Sequence, residues 1–493
     1  MINIISHKKL DFSSDLLVVP IFHGEKNIKI LDKDVHAFVN GSVDLDFLEA
    51  RFGKIVLLDY GLLKPIKRLY LLYVGPKDEL DPYALRASFY KLRKATQEEK
   101  IEDISILLRD ELTAKLSHEH VIESIAEGIV FGEYNFRKYK TEDKRIHTVK
   151  NISFVMHDLS KVKDIKGLEN YIQTVTTSTN FTRDLINEPA CTVTPLFLAE
   201  EALKLKSYAH MTVDVWDKKK IEAQKMGGVL AVSRGAEHEP RFVDIRYEPK
   251  GAKKHICIIG KGITFDSGGL DIKTAAGMLT MKMDMGGAAT VLGIMHAIGK
   301  LQPKVKVTGI FATCENSVDS KSYKPGDVIT MYSGKTVEIT NTDAEGRMLL
   351  ADCITYANKL KPDALIDIAT LTGGVIVALG SQITGVMSNN DSLVKTIVDV
   401  GKEVGEEFWQ LPLFKRYKAH IESQIADMEN TGPRDASAII ASLFLHEFVD
   451  DSIPWAHLDI AGSAWAEENN GYSPKGATGS PVRTLIRYIM KQE

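Results

Sequence analysis

Cysteine is scarce. The four present, Cys191, Cys257, Cys314 and Cys353, include no C-x-x-C pair, and three lie in apolar strand-like or helix-like runs. They read as buried free thiols of a reducing compartment rather than as a disulfide framework. Long apolar runs are missing as well. No 18-residue apolar span occurs, and Met1-Ile-Asn-Ile-Ile-Ser-His-Lys-Lys lacks an apolar core with a small-residue cleavage site. The expectation is a soluble cytoplasmic protein without a membrane partner. Charge of one sign is nearly balanced at −4, which removes any global attraction to nucleic acid or anionic membrane but leaves room for a local basic patch. There is no internal repeat, low-complexity tract or sustained heptad, which excludes a solenoid or coiled coil.

Familiar catalytic signatures are absent too. His118-Glu-His120 and His446-Glu447 fail the H-E-x-x-H spacing, and no G-x-S-x-G elbow occurs. Gly260-Lys-Gly262 follows an apolar strand, but Phe265 stands where a dinucleotide fingerprint needs its third glycine. Ser333-Gly-Lys-Thr336 ends like a phosphate-binding loop, but Ile329 replaces the required upstream glycine.

What is present begins with size. At 493 residues, 44% hydrophobic and 26% charged, the chain exceeds what one core serves, so two α/β domains of unequal size are expected. Residues 1–165 mix strand patterns at Leu16–Pro20, Ile55–Leu58, Leu69–Val74 and Ile152–Met156 with helical patterns at Tyr83–Gln97 and Val121–Phe131. A helix over about 166–187, ended by Pro189, is expected to link them to a larger domain, 166–493. There strands at His255–Gly260, Val305–Ala312, Ala364–Thr370 and Trp455–Ile460 alternate with helices, predicting a mostly parallel mixed sheet covered on both faces. Val328–Ile339 reads as a hairpin around Ser333-Gly334.

Chemistry concentrates between 261 and 347. Lys261-Gly-Ile-Thr-Phe-Asp266-Ser-Gly-Gly, Lys282-Met-Asp284-Met-Gly-Gly and Asn341-Thr-Asp-Ala-Glu-Gly-Arg347 carry acids and bases on glycine-rich loops. Thr342 and Glu345 also fit a capping box for the helix that follows. Lys261–Asp266 and Asp343–Glu345 occupy or closely follow strand ends and can meet in one crevice, where the four carboxylates Asp266, Asp284, Asp343 and Glu345 would repel unless divalent cations neutralised them. A two-metal site suits activation of a water against a carbonyl. Oxygen-rich ligands with one nitrogen fit Mn²⁺ or Zn²⁺ and are compatible with Mg²⁺ or Co²⁺. Lys261 would ligate only as the neutral amine. Lys273 and Arg347 remain as positive charges for an oxyanion and for a carbonate or carboxylate.

These stretches, with Met281-Lys-Met-Asp-Met-Gly-Gly-Ala-Ala and Ala369-Thr-Leu-Thr-Gly373, closely resemble the leucyl aminopeptidase (peptidase M17) family. The likeness covers the chain from about Arg183, with weaker echoes such as Tyr134-Asn-Phe-Arg-Lys-Tyr-Lys140 further upstream. It implies that Asp266 and Glu345 bridge two metals, that Asp343 completes one site, and that Lys261 and Asp284 complete the other. It further implies that Lys273 polarises the scissile carbonyl and Arg347 holds a bicarbonate acting as general base. Met281, Thr370 and Gly373 match positions lining the pocket for the first side chain. The resemblance implies a homohexamer acting on peptides, preferentially those beginning with leucine or another apolar residue. Pro481, where glycine is common, departs from the pattern outside the ligand set. Some family members also bind DNA through their N-terminal domains, and the basic stretch Arg137–Arg145 keeps a DNA-binding regulator open as the alternative.

Overall fold

The computed structural model describes residues 1–6, 12–25, 27–30, 33–42, 52–58, 66–142 and 147–493. Residues 143–146 of the basic stretch lie outside the described residues. Two compact units result: Met1–Thr177 with Glu403–Gly405 and Asn469–Pro474, and Ser178–Lys402 with Glu406–Glu468 and Lys475–Glu493. The division falls within the helix Ile165–Asn187, the segment expected to link two domains.

The first unit is built on six strands: β1 (Ile2–Ser6), β2 (Leu16–Ile21), β3 (Ile55–Leu58), β4 (Leu69–Tyr73), β5 (Asp103–Leu107) and β6 (Asn151–Met156). Their order is β1-β6-β5-β2-β4-β3, parallel except for the edge strand β3. All six residues of β2, Leu-Leu-Val-Val-Pro-Ile, are buried, as a central parallel strand covered on both faces requires. The helices Pro82–Thr96 and His118–Glu133 contribute Leu85, Phe89, Ile122 and Ile125 to one core. Each starts at a side-chain cap: Asp81 accepts from Ala84 N at 2.6 Å and Ser117 from His120 N at 3.2 Å.

The second unit holds β7 (Met211–Trp216), β8 (Arg241–Tyr247), β9 (His255–Asp266), β10 (Lys306–Asn316), β11 (Val328–Thr330), β12 (Thr336–Glu338), β13 (Ala364–Ala369), β14 (Ile383–Ser388), β15 (Glu407–Gln410), β16 (Met428–Glu429) and β17 (Trp455–Asp459). Eight form a mixed sheet in the order β15-β14-β17-β13-β9-β10-β8-β7, whose central strands β17, β13, β9 and β10 run parallel. The predicted hairpin is β11–β12, with Ile329 opposite Val337; β16 adds to it in parallel.

β9 is buried along nearly all of its length, and its alternate residues serve opposite faces. Cys257, Ile259 and Ile263 join a core with Met348, Leu349 and Cys353 of the helix Gly346–Asn358. On the other face, a Cβ on Gly260 would lie 2.4 Å from Gly287, at the start of the helix Gly286–Leu301. Lys261 shares the face of Cys257 and Ile259, so the sheet aims it toward the helix Gly346–Asn358. Cys257, Cys314 and Cys353 are buried as expected, whereas Cys191 is exposed. It follows Pro189 in a loop, where no apolar periodicity holds it inside. Among the described residues, no helix is long and apolar enough to cross a membrane.

Candidate active site

The parallel strands bring their carboxyl ends together, where ligand-binding groups gather in open α/β sheets. Lys261 lies within β9 and Asp266 ends it. Asp284 sits in the short helical turn Met281–Met285 before the helix Gly286–Leu301. Thr370 follows β13, and Asp343, Glu345 and Arg347 surround the start of the helix Gly346–Asn358. All ten residues singled out in the sequence line one cavity of about 520 Å³: Lys261, Asp266, Lys273, Met281, Asp284, Asp343, Glu345, Arg347, Thr370 and Gly373.

Charges alternate across this cavity. The Lys261 ammonium stands 2.7 Å from Asp284 Oδ2 and 2.9 Å from Glu345 Oε1, and donates to the Thr370 carbonyl at 3.0 Å. Lys273 stands 2.9 Å from Asp266 Oδ2 and 2.5 Å from Asp343 Oδ1. Asp266 Oδ1 accepts from Gly268 N and Asn316 Nδ2, each at 2.9 Å. Thr370 Oγ1 donates to Asp284 Oδ1 at 2.8 Å. A Cβ on Gly346 would fall 2.4 Å from Lys261 Cε, so a larger residue there would displace the Lys261 ammonium.

Burial opposes charge on the lysines and on the acids alike. It works to lower the Lys261 pKa, but Asp284, Glu345 and Asp266 outweigh it and hold the amine above the ordinary lysine range. The same contest, with Asp266, Glu345 and Asp343 as partners, raises Lys273. Burial pushes Asp284 well above the usual carboxylate range against the pull of Lys261, and it raises Glu345 and Asp343 with help from Asp266. Arg347 is lowered to about 10 by burial. Its Nη1 donates to the Asn430 carbonyl at 2.7 Å, while its Nε is buried without a hydrogen-bond partner.

The donor set fits a divalent cation. Asp266, Asp343 and Glu345 offer carboxylate oxygens all within 4.8 Å of one another, and Glu345 Oε2 is buried without a hydrogen-bond partner. Such an oxygen is costly to leave in a protein interior and is satisfied by a bound cation.

The capping box does not form. The helix begins at Gly346 with no side-chain cap. The Thr342 hydroxyl instead donates to Gly268 O at 2.7 Å and accepts from Asp271 N at 2.9 Å, pinning the loop after β9, while Glu345 turns to Lys261. That loop turns through Gly268 and Gly269 at φ +86° and +67°, conformations suited to glycine.

Sequence reading missed the residues that hold the site together. Asn316, at the end of β10 beside a shift in register, donates from Nδ2 to Asp266 and to the Thr342 carbonyl at 3.0 Å. Asn430 accepts at Oδ1 from Thr340 N at 2.9 Å and donates from Nδ2 to Asn341 O at 2.7 Å. Asp459 ends β17 and receives the segment after Thr370. Their only sequence signal is a polar residue ending, or just following, an apolar strand.

The catalytic domain of the cytosol aminopeptidase family matches residues 180–486, and the N-terminal domain of the same family matches residues 18–143. The probable cytosol aminopeptidase of Sulfurihydrogenibium sp. is 39% identical over 497 residues, covering 98% of this chain and 97% of that one. That of Persephonella marina is 40% identical over 466 residues, covering 94% and 93%. Among solved structures, a mutant of tomato leucine aminopeptidase matches with a TM-score of 0.88 and 32% identity, covering 99% of this chain and 96% of that one. The bottromycin maturation enzyme BotP in complex with Mn matches with a TM-score of 0.86 and 29% identity, covering 98% and 100%. The chain belongs to the cytosol aminopeptidase (peptidase M17) family, and is a metallo-aminopeptidase.

Proposed function

We propose that this protein removes the N-terminal residue, preferentially leucine or another apolar residue, from peptides in the cytoplasm, using two divalent cations held by Lys261, Asp266, Asp284, Asp343 and Glu345. The observation that carries this reading is the meeting of four carboxylates and two lysines in one cavity, with Lys261, Asp266, Asp284 and Glu345 buried and Glu345 Oε2 left unpartnered. Mn²⁺ or Zn²⁺ suits that donor set, and Mg²⁺ or Co²⁺ is compatible with it. When bound, such cations supply Lewis acidity and lower the pKa of water.

The chain's own residues divide the remaining work. Lys273, a cation at neutral pH between Asp266 and Asp343, donates to the scissile carbonyl oxygen as negative charge develops on it. Arg347, whose Nε has no protein partner, holds bicarbonate, an anion with the chemistry of a general base. Met281, Thr370 and Gly373 surround the first side chain, with Ile376 and Ala461 on the same cavity wall. By likeness to the family, the protein assembles as a homohexamer, with an N-terminal domain over 1–165, a linking helix over 166–187 and a catalytic domain extending to 493.

The test is hydrolysis of leucyl-anilide by Asp343→Ala and Glu345→Ala variants. Both lose activity under this reading, and a variant that retains it overturns the ligand assignment. Nothing in the described part of the basic stretch favours a DNA-binding regulator over the enzyme.

A further inference from the structure

One positive charge lining the cavity is unused. Lys261 and Lys273 are engaged by carboxylates, and Arg347 donates to the Asn430 carbonyl. The remaining cation of the lining is Arg434, which is exposed and has no ion-pair, hydrogen-bond or ring partner among the described residues. Thr431, Gly432 and Pro433 line the cavity beside it.

The segment carrying Arg434 is tied to the catalytic loop. Asn430 bonds through both ends of its amide to Thr340 and Asn341, and its carbonyl receives Arg347. Downstream the chain enters the helix Ser437–His446 through Ala436 at φ +56°. Pro433 restricts the backbone immediately before the arginine. A guanidinium is thus held on the rim of a cavity whose lining also carries Asp266, Asp284, Asp343 and Glu345.

A peptide that presents its amine to these carboxylates carries its next negative charge only a short way along. An extended chain advances about 3.3–3.6 Å per residue, so the C-terminal carboxylate of a dipeptide or tripeptide lies within roughly 7–11 Å of its amine, whereas that of a longer peptide lies farther off. Guanidinium binds carboxylate through paired N–H donors. Resting on the aminopeptidase reading above, we propose that Arg434 is a specificity-determining residue that binds the carboxylate of short peptides, making free dipeptides and tripeptides the preferred substrate class.

The same chemistry could come from an acidic side chain at the second residue, and the substrates separate the two sources. Leucyl-glycine, leucyl-glycinamide and leucyl-isoglutamine, whose only carboxylate is its side chain, are compared with the full-length, metal-loaded enzyme and its Arg434→Gln and Arg434→Lys variants. The expected result is a kcat/KM for leucyl-glycine roughly tenfold above that for the amide, carried mainly by KM. Arg434→Gln removes this preference by bringing leucyl-glycine down to the level of the amide, and Arg434→Lys restores part of it. Because Arg434 is exposed, neither variant threatens folding, and the ratio between substrates cancels differences in enzyme content. A preference confined to leucyl-isoglutamine overturns the short-peptide assignment, as does equal turnover of acid and amide or a preference that survives Arg434→Gln. Failure of the wild-type enzyme on both leucyl-glycine and its amide overturns the aminopeptidase reading itself, a distinct result.

Discussion

The buried carboxylate of Asp459, at the end of β17, accepts the Thr372 hydroxyl at 2.7 Å. Through its other oxygen it accepts Leu371 N at 3.1 Å and Ala461 N at 3.2 Å. One side chain therefore joins the segment carrying Thr370 and Gly373 to the wall carrying Ala461, across the pocket assigned to the first side chain. Asp459→Ala leaves these donors without a partner, and each costs on the order of 1–3 kcal/mol. The expected outcome is a clear fall in melting temperature, together with a fall in kcat/KM for leucyl-anilide. Unchanged values in both measurements contradict the bracing role.

Lys261 carries a second prediction. Its pKa lies above the ordinary lysine range because three carboxylates outweigh its burial, so it is protonated at neutral pH before a cation binds. A metal ligand must be the neutral amine, so loading metal-free protein releases this proton and metal affinity rises with pH. Calorimetric titration with Mn²⁺ in buffers of different ionisation enthalpy measures the release. Lys261→Met is expected to lose it along with most of the affinity at that site. Binding that releases no protons would remove Lys261 from the ligand set.

Gly373 offers a direct probe of the pocket. A Cβ built there meets nothing within 4 Å, so the position opens on free space. Gly373→Val fills part of that space and is expected to lower kcat/KM for leucyl substrates about tenfold or more, while alanyl substrates are spared. The ratio of the two in parallel assays is the measurement. Equal losses for both would place Gly373 outside the pocket.

Acid stability depends on two histidines far from this chemistry. Burial, the leading cause in each case, lowers His255 and His296 to about 4, with Lys306 and Lys300 adding to it respectively. Because the folded pKa lies below the unfolded value near 6.5, each group contributes stability that is fully present above that value. The contribution is lost as pH falls from about 6.5 through 4. The melting temperature of the wild-type protein is expected to drop across this window. A His255→Gln, His296→Gln double variant should show a shallower drop in scanning calorimetry, and identical slopes contradict the assignment.

How much of this was legible in the sequence differs by the range of the interaction involved. The heptapeptide Asn341–Arg347, the apolar run of β9 and the hairpin β11–β12 are local patterns, and they mark where strands end and loops begin. That Asp266 and Glu345 share a crevice followed from their places at or after strand ends, whereas Lys261 lies within β9, which runs beyond the expected end at Gly260, and Asp284 comes from a helical turn. The role of Thr342 did not: its spacing from Glu345 matches a cap, yet its hydroxyl meets Gly268 and Asp271, a loop some seventy residues away. Asn316, Asn430 and Asp459 escaped for the same reason. Each acts on a backbone segment supplied by a different strand, and no local spacing records which strands become neighbours.

The central claim is that bound divalent metal is required for removal of an N-terminal residue. The most direct measurement is leucyl-anilide hydrolysis by the purified enzyme, with metal content followed in parallel, after exhaustive chelation and then after re-addition of Mn²⁺, Zn²⁺ or Mg²⁺. The account predicts that activity disappears with the metal and returns on reloading, most strongly with Mn²⁺ or Zn²⁺. Full activity in protein verified to be free of metal would contradict it.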